Sequence, residues 1–78
     1  MTIQAIHPYP DYTVHIVADD GRNGIFDVTP YLQDEAFAEL QNPTVFLHIS
    51  NGGYFIEWEC GADLSADTIE AGWQRVNG

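Results

Sequence analysis

The chain has 78 residues, a length that predicts one domain spanning 1–78, and 45% of them are hydrophobic and 13% aromatic, so core material is plentiful. Twelve carboxylates stand against two arginines, Arg22 and Arg75, for a formal net charge of −10. Nucleic-acid affinity rests mainly on cations that neutralise phosphate, so direct DNA or RNA binding and docking on an anionic membrane are both excluded as expectations, and steering toward a basic partner is favoured.

The opening Met1-Thr2-Ile3-Gln4-Ala5-Ile6 lacks the basic start and long apolar run of an export signal. Ile3 to His7 reads as a short strand, closed by a turn at Pro8, Pro10 and Asp11, because proline fixes φ and removes ladder donors. Tyr12 to Ala18 alternates, with Tyr12, Val14, Ile16 and Ala18 on one face and Thr13, His15 and Val17 on the other. Asp19 to Gly24 contains Asp-Gly and Asn-Gly, both turn dipeptides, and Ile25 to Val28 is the returning strand. Thr29-Pro30 reads as a helix cap followed by proline at the first helical position. Leu32, Ala36, Phe37 and Leu40 then recur at helical spacing, with a break near Gln33-Asp34, a restart capped by Asp34, and an end at Gln41-Asn42-Pro43.

Val45 to Ser50 and Tyr54 to Glu59 read as a hairpin around Asn51-Gly52-Gly53. A one-residue slip flips a strand, so the core faces (Val45, Leu47, Ile49 and Tyr54, Ile56, Trp58) match only if odd positions pair with even ones. Two registers satisfy this. With Asn51-Gly52 as the turn Leu47 faces Ile56; with Gly52-Gly53 it faces Trp58, and His48 faces Glu57. In both, Phe46, His48 and Ser50 share the outer face with Phe55, Glu57 and Glu59. Ser65 is a good cap for a last helix from Ala66, with Asp67 in its first turn and Ile69, Trp73 and Val76 on one face. Gly72 weakens that helix, so it needs the sheet, against which Trp73 is expected to pack. The expected fold is a small α+β domain: a mainly antiparallel sheet of about five strands with two short helices.

The chemistry-bearing residues are few. His48 and Glu57 are opposite or diagonal neighbours on one hairpin face, an arrangement that could do acid–base work but reads first as an exposed cross-strand pair. His7, His15, His48 and Cys60 have no metal-ligand spacing, and no cofactor motif is present. Cys60 is the single cysteine, which fits a reducing compartment, and with no apolar stretch approaching about 18 residues the expected location is the cytoplasm. Trp58, Gly61, Asp63 and Ser65 read as a structural corner in which Asp63 caps backbone N–H groups and Ser65 starts the helix. The candidate partner-binding surface is Phe46, His48, Phe55, Glu57 and Glu59.

Three blocks carry a family resemblance: Phe26 to Leu32, Phe37 to Leu40, and Ile56 to Leu64 with Ser65 to Thr68. With the strand and turn from Tyr12 to Gly21, they resemble the small bacterial proteins called domain of unknown function 2442, over nearly the whole chain. The family's Pro-Asn after the tryptophan is here Glu59-Cys60, and its proline inside the final cap is here Ala66, which adds a charge and a thiol at the turn. The resemblance implies a small α+β domain of antiparallel sheet and short helices. Some relatives add a helix-turn-helix domain, which has no counterpart in this sequence. Members stand beside small toxin-like genes, which implies an antitoxin-like role, and the family has no established catalytic residues.

The expectation is therefore a non-enzymatic interaction module, a monomer or weak homodimer, whose partner is a basic and toxin-like protein. The alternative is a small hydrolase or isomerase using His48, Glu57 and Asp63. A self-associating scaffold paired through sheet edges is a third reading, opposed by the acidic surface.

Overall fold

The computed structural model describes residues 1–76. It is an α+β fold as expected, but its strands form two antiparallel sheets and its helices are more numerous. The first sheet contains β1 (Ile3–Pro8), β2 (Thr13–Ala18), β3 (Asn23–Asp27) and β7 (Gln74–Arg75), in that order. The second contains β4 (Ile49–Asn51), β5 (Phe55–Trp58) and β6 (Asp63–Ser65). Two hydrogen bonds stitch them: the Ile3 N–H donates to the Gly53 carbonyl at 2.7 Å, and the Asn51 amide donates to the Ile3 carbonyl at 3.0 Å.

The alternation in β2 sets the first core layer. Val14, Ile16 and Ala18 are buried, joined across β3 by Phe26, and by Val28 just beyond its end. Tyr12 lies outside the strand, with φ of 69°, a left-handed conformation costly for a bulky side chain. It turns the ring edge-on to Phe46, at 5.4 Å between centroids, and lets its hydroxyl donate to the Gln41 carbonyl. A tertiary contact thus sustains a locally unfavourable backbone.

Between the sheets the chain runs through short helices. Thr29–Tyr31 and Glu35–Gln41 are 3-10 helices, separated where the break at Gln33-Asp34 was expected. Thr29 is not the cap: its own N–H is held by the Asp27 carboxylate at 2.9 Å. Asp34 stands at the cap position of the second segment, without a side-chain hydrogen bond. Leu40 is fully buried and Leu32 nearly so, whereas Ala36 is exposed, because the tighter 3-10 winding rotates it off the apolar stripe.

The expected strand from Val45 is corrected. Asn42-Pro43 does not merely end one helix; it opens another, α1 (Pro43–Phe46), with the Asn42 side chain accepting from the Thr44 N–H at 3.0 Å. This rotates Phe46 from the expected outer face into the core, where it is completely buried. Odd still pairs with even in the second hairpin, but in neither expected register: Ile49 faces Trp58, Ser50 faces Glu57 and Asn51 faces Ile56.

The last helix, α2 (Ala66–Gly72), begins where the sequence predicts, with the Ser65 hydroxyl accepting from the Thr68 N–H at 3.1 Å. It stops at Gly72, and Trp73 to Arg75 turn extended to add β7 beside β3. Trp73 packs against the core as predicted, while Val76 is exposed.

Arg22 ties the end of the second strand turn to α2. Its guanidinium donates to Glu70 at 2.6 Å and to Asp20 at 2.7 Å, and lies 6.0 Å from the Trp73 ring centroid. The Arg22 hydrogen bond, helped by the Met1 ammonium, holds the Glu70 carboxyl below its usual range. Asp20 is lowered mainly by the Arg22 backbone N–H and further by its side chain. Folded-state pKa values below the unfolded ones mean that the cluster stabilises above the ordinary carboxylate range, about 4, and loses that contribution as pH falls through the lowered values. Arg22→Gln is therefore expected to lower the urea midpoint most at pH 7, with the gap from the parent closing below about pH 4. A gap that stays constant down to pH 3 would show that the carboxylates are not coupled to Arg22.

Candidate functional site

The expected surface lies on the second sheet, minus Phe46. His48 and Glu59 continue the β4–β5 ladder beyond its ends, the Glu59 N–H donating to the His48 carbonyl at 3.3 Å. The His48 Nδ1 is 3.5 Å from a Glu59 oxygen, and both side chains are largely exposed. Glu57 is thus the diagonal neighbour of His48 rather than its opposite. An open groove of about 420 Å³ runs along this side, lined by Leu47, His48, Ser50, Glu57, Trp58 and Glu59 among others. Phe55, on the same face of β5 as Glu57, is 41% exposed with its ring over Gly52, and Tyr54, 73% exposed, lines a separate groove with Met1, Thr2 and Ser65.

The corner from Trp58 to Ser65 is a hairpin, not a direct crossing from strand to helix. The Trp58 N–H donates to the Ala62 carbonyl at 2.9 Å and the Gly61 N–H to the Trp58 carbonyl at 2.9 Å, enclosing Glu59, Cys60 and Gly61. Gly61 has φ of 97°, the left-handed position that three-residue hairpin loops assign to glycine. Trp58 anchors the corner: it is 1% exposed, meets Phe37 edge-on and Phe46 at a tilt, and its indole N–H donates to the Phe46 carbonyl at 2.9 Å. Asp63 does not cap. It is exposed, forms no side-chain hydrogen bond among the described residues, and stands directly opposite Glu57 in the β5–β6 ladder.

The geometry therefore brings Glu57 and Asp63 together but leaves His48 diagonal to Glu57, with Glu59 as its nearest carboxylate. Glu57 sits mid-strand with His48 toward β4 and Asp63 toward β6, and Asp63 does not line the groove. Among the described residues no group of three or more His, Cys, Asp or Glu is placed to hold a metal ion. Cys60 is half-buried at the second loop position, with no disulfide. The Glu57–Asp63 opposition was missed in the sequence because three residues, Asp63 to Ser65, carry too little alternation to announce a strand.

The family model described as a protein of unknown function, DUF2442, matches residues 3–75. The chain belongs to this family. The match covers every strand and helix of the DUF2442 fold seen here, and the corner from Ile56 to Ser65 lies within it. No curated protein and no solved structure matches the chain. In this DUF2442 domain the two unusual residues, Glu59 and Cys60, occupy the first two positions of the hairpin loop and leave its glycine position unchanged. No helix among the described residues is long and apolar enough to cross a membrane.

Proposed function

We propose that this domain is a non-enzymatic interaction module whose acidic surface binds a basic protein in the cytoplasm. One observation carries the reading: of only two cationic side chains, Arg22 is engaged by Asp20 and Glu70, so carboxylates set nearly the whole surface field. The second sheet supplies a concentrated patch of that field, with Glu57, Glu59 and Asp63 exposed on the face that also carries Phe55. Mixed aromatic and charged surface of this kind suits a partner interface, the aromatics contributing contact area and the charges orientation. Neutralisation of a small toxin-like protein is the form this takes by family resemblance. The enzymatic alternative draws no support from the arrangement of His48, Glu57 and Asp63.

Co-expression with the product of the adjacent gene, followed by calorimetry, tests the proposal. A complex of micromolar affinity or tighter is expected, weakening by about ten-fold between about 50 and 300 mM salt as screening lengths shorten. No complex at micromolar concentration, or a salt-independent one, would remove the electrostatic reading.

A further inference from the structure

β6 is the outermost strand of its sheet, and the hydrogen bonds to β5 define which way its backbone points. Trp58 bonds Ala62, and the Ala66 N–H donates to the Tyr54 carbonyl at 2.8 Å. Antiparallel ladders alternate, so the intervening pairs, Glu57 with Asp63 and Phe55 with Ser65, are the non-hydrogen-bonded ones. The Asp63 N–H and carbonyl and the Ser65 N–H consequently face away from β5, toward the free edge. None of the three bonds another backbone group outside the regular ladders among the described residues, and both residues are exposed.

The same alternation brings the Glu57 and Asp63 side chains to the closer of the two cross-strand spacings, with Cα atoms about 4.5 Å apart. Neither takes part in an ion pair among the described residues. Two carboxylates so placed repel each other, and they stand on a strand whose main chain is free to pair.

We infer that β6 is a docking edge for an extended basic segment of the partner, which adds as a fourth strand to the second sheet. This rests on the proposed function and specifies where and in what shape the partner binds. Charge selects the occupant. A second copy would bring its own Glu57 and Asp63 against these and is repelled, whereas a strand with lysine or arginine at alternate positions places a cation in register with Asp63 and neutralises the pair.

The full ¹⁵N-labelled chain, titrated at about 50 mM salt with an acetylated, amidated heptapeptide of alternating lysine and valine, tests this. The expected result is shifting and exchange protection of the Asp63 and Ser65 amides. The same peptide with its lysine amides N-methylated keeps its charge but loses the donors, and binds about ten-fold more weakly. Glu57→Gln with Asp63→Asn weakens the unmethylated peptide by about ten-fold, whereas Asp34→Asn with Glu35→Gln, an equal change in net charge, leaves it within about two-fold. Equal binding of both peptides, or shifts clustered away from β6, overturns the docking edge while leaving the acidic-surface reading intact. Absence of binding by either peptide also overturns the edge, and the co-expression experiment separately decides the broader proposal.

Discussion

Trp58→Ala is expected to remove most of the stability of this domain. The substitution empties the centre of the core and strips the Phe46 carbonyl of its buried donor, the indole N–H at 2.9 Å. Truncating a buried tryptophan costs about 3–5 kcal/mol, and an orphaned buried acceptor costs about 1–3 kcal/mol. A chain of this length has about 4–12 kcal/mol in total, so at the middle of both ranges only about 2 kcal/mol remain. Trp58→Phe retains much of the aromatic volume and loses the donor, for an expected cost of about 1–3 kcal/mol. Urea unfolding followed by far-UV circular dichroism measures both. A loss below about 1 kcal/mol for the alanine variant would mean that Trp58 does not hold the two sheets and α1 together.

The second large effect is at Gly24, where β3 receives the end of the chain. A Cβ there would lie 2.9 Å from the Gln74 carbonyl oxygen and 2.9 Å from Trp73 Cδ2. Backbone and a packed indole both stand in the way, so neither can yield cheaply. Gly24→Val is expected to cost about 1–3 kcal/mol and to push Trp73 and β7 off the edge of β3. Two readouts check this: a lower urea midpoint, and faster hydrogen exchange at the Val76 amide, which bonds the Asn23 carbonyl at 2.9 Å. Unchanged exchange with unchanged stability would show that β7 is not seated on Gly24.

Much of the domain was legible in the sequence because its signals are local. The alternation from Thr13 to Ala18 places Val14 and Ile16 in the core, since every second side chain of a strand shares a face. Ser65 and Asp67 mark the start of α2, because the orphan N–H groups of a helix need acceptors. The break before Glu35 is equally local. The candidate surface was partly legible: Glu57, Glu59 and Phe55 face outward as read, since alternation around the buried Trp58 leaves them no other side. Phe46 was misplaced for a physical reason. Val45 to Ser50 alternates well enough for a strand, but Asn42-Pro43 satisfies the first turn of a helix, and the Trp58 indole takes the Phe46 carbonyl that the helix presents.

By itself the sequence determined the acidic character, which is composition, and the α+β class, the first hairpins and the cap of the last helix, which depend on residues within a few positions of one another. Tertiary structure alone decided the register of the second hairpin and the existence of two sheets. Asn51 reads as a turn residue, yet its side chain accepts from the Gly53 N–H at 2.8 Å and donates to the Ile3 carbonyl at 3.0 Å, which keeps it paired in β4 and moves the turn onward. That bond reaches a strand at the other end of the chain. No pattern near Asn51 encodes it, because its favourable energy exists only once the first strand has folded beside the second sheet.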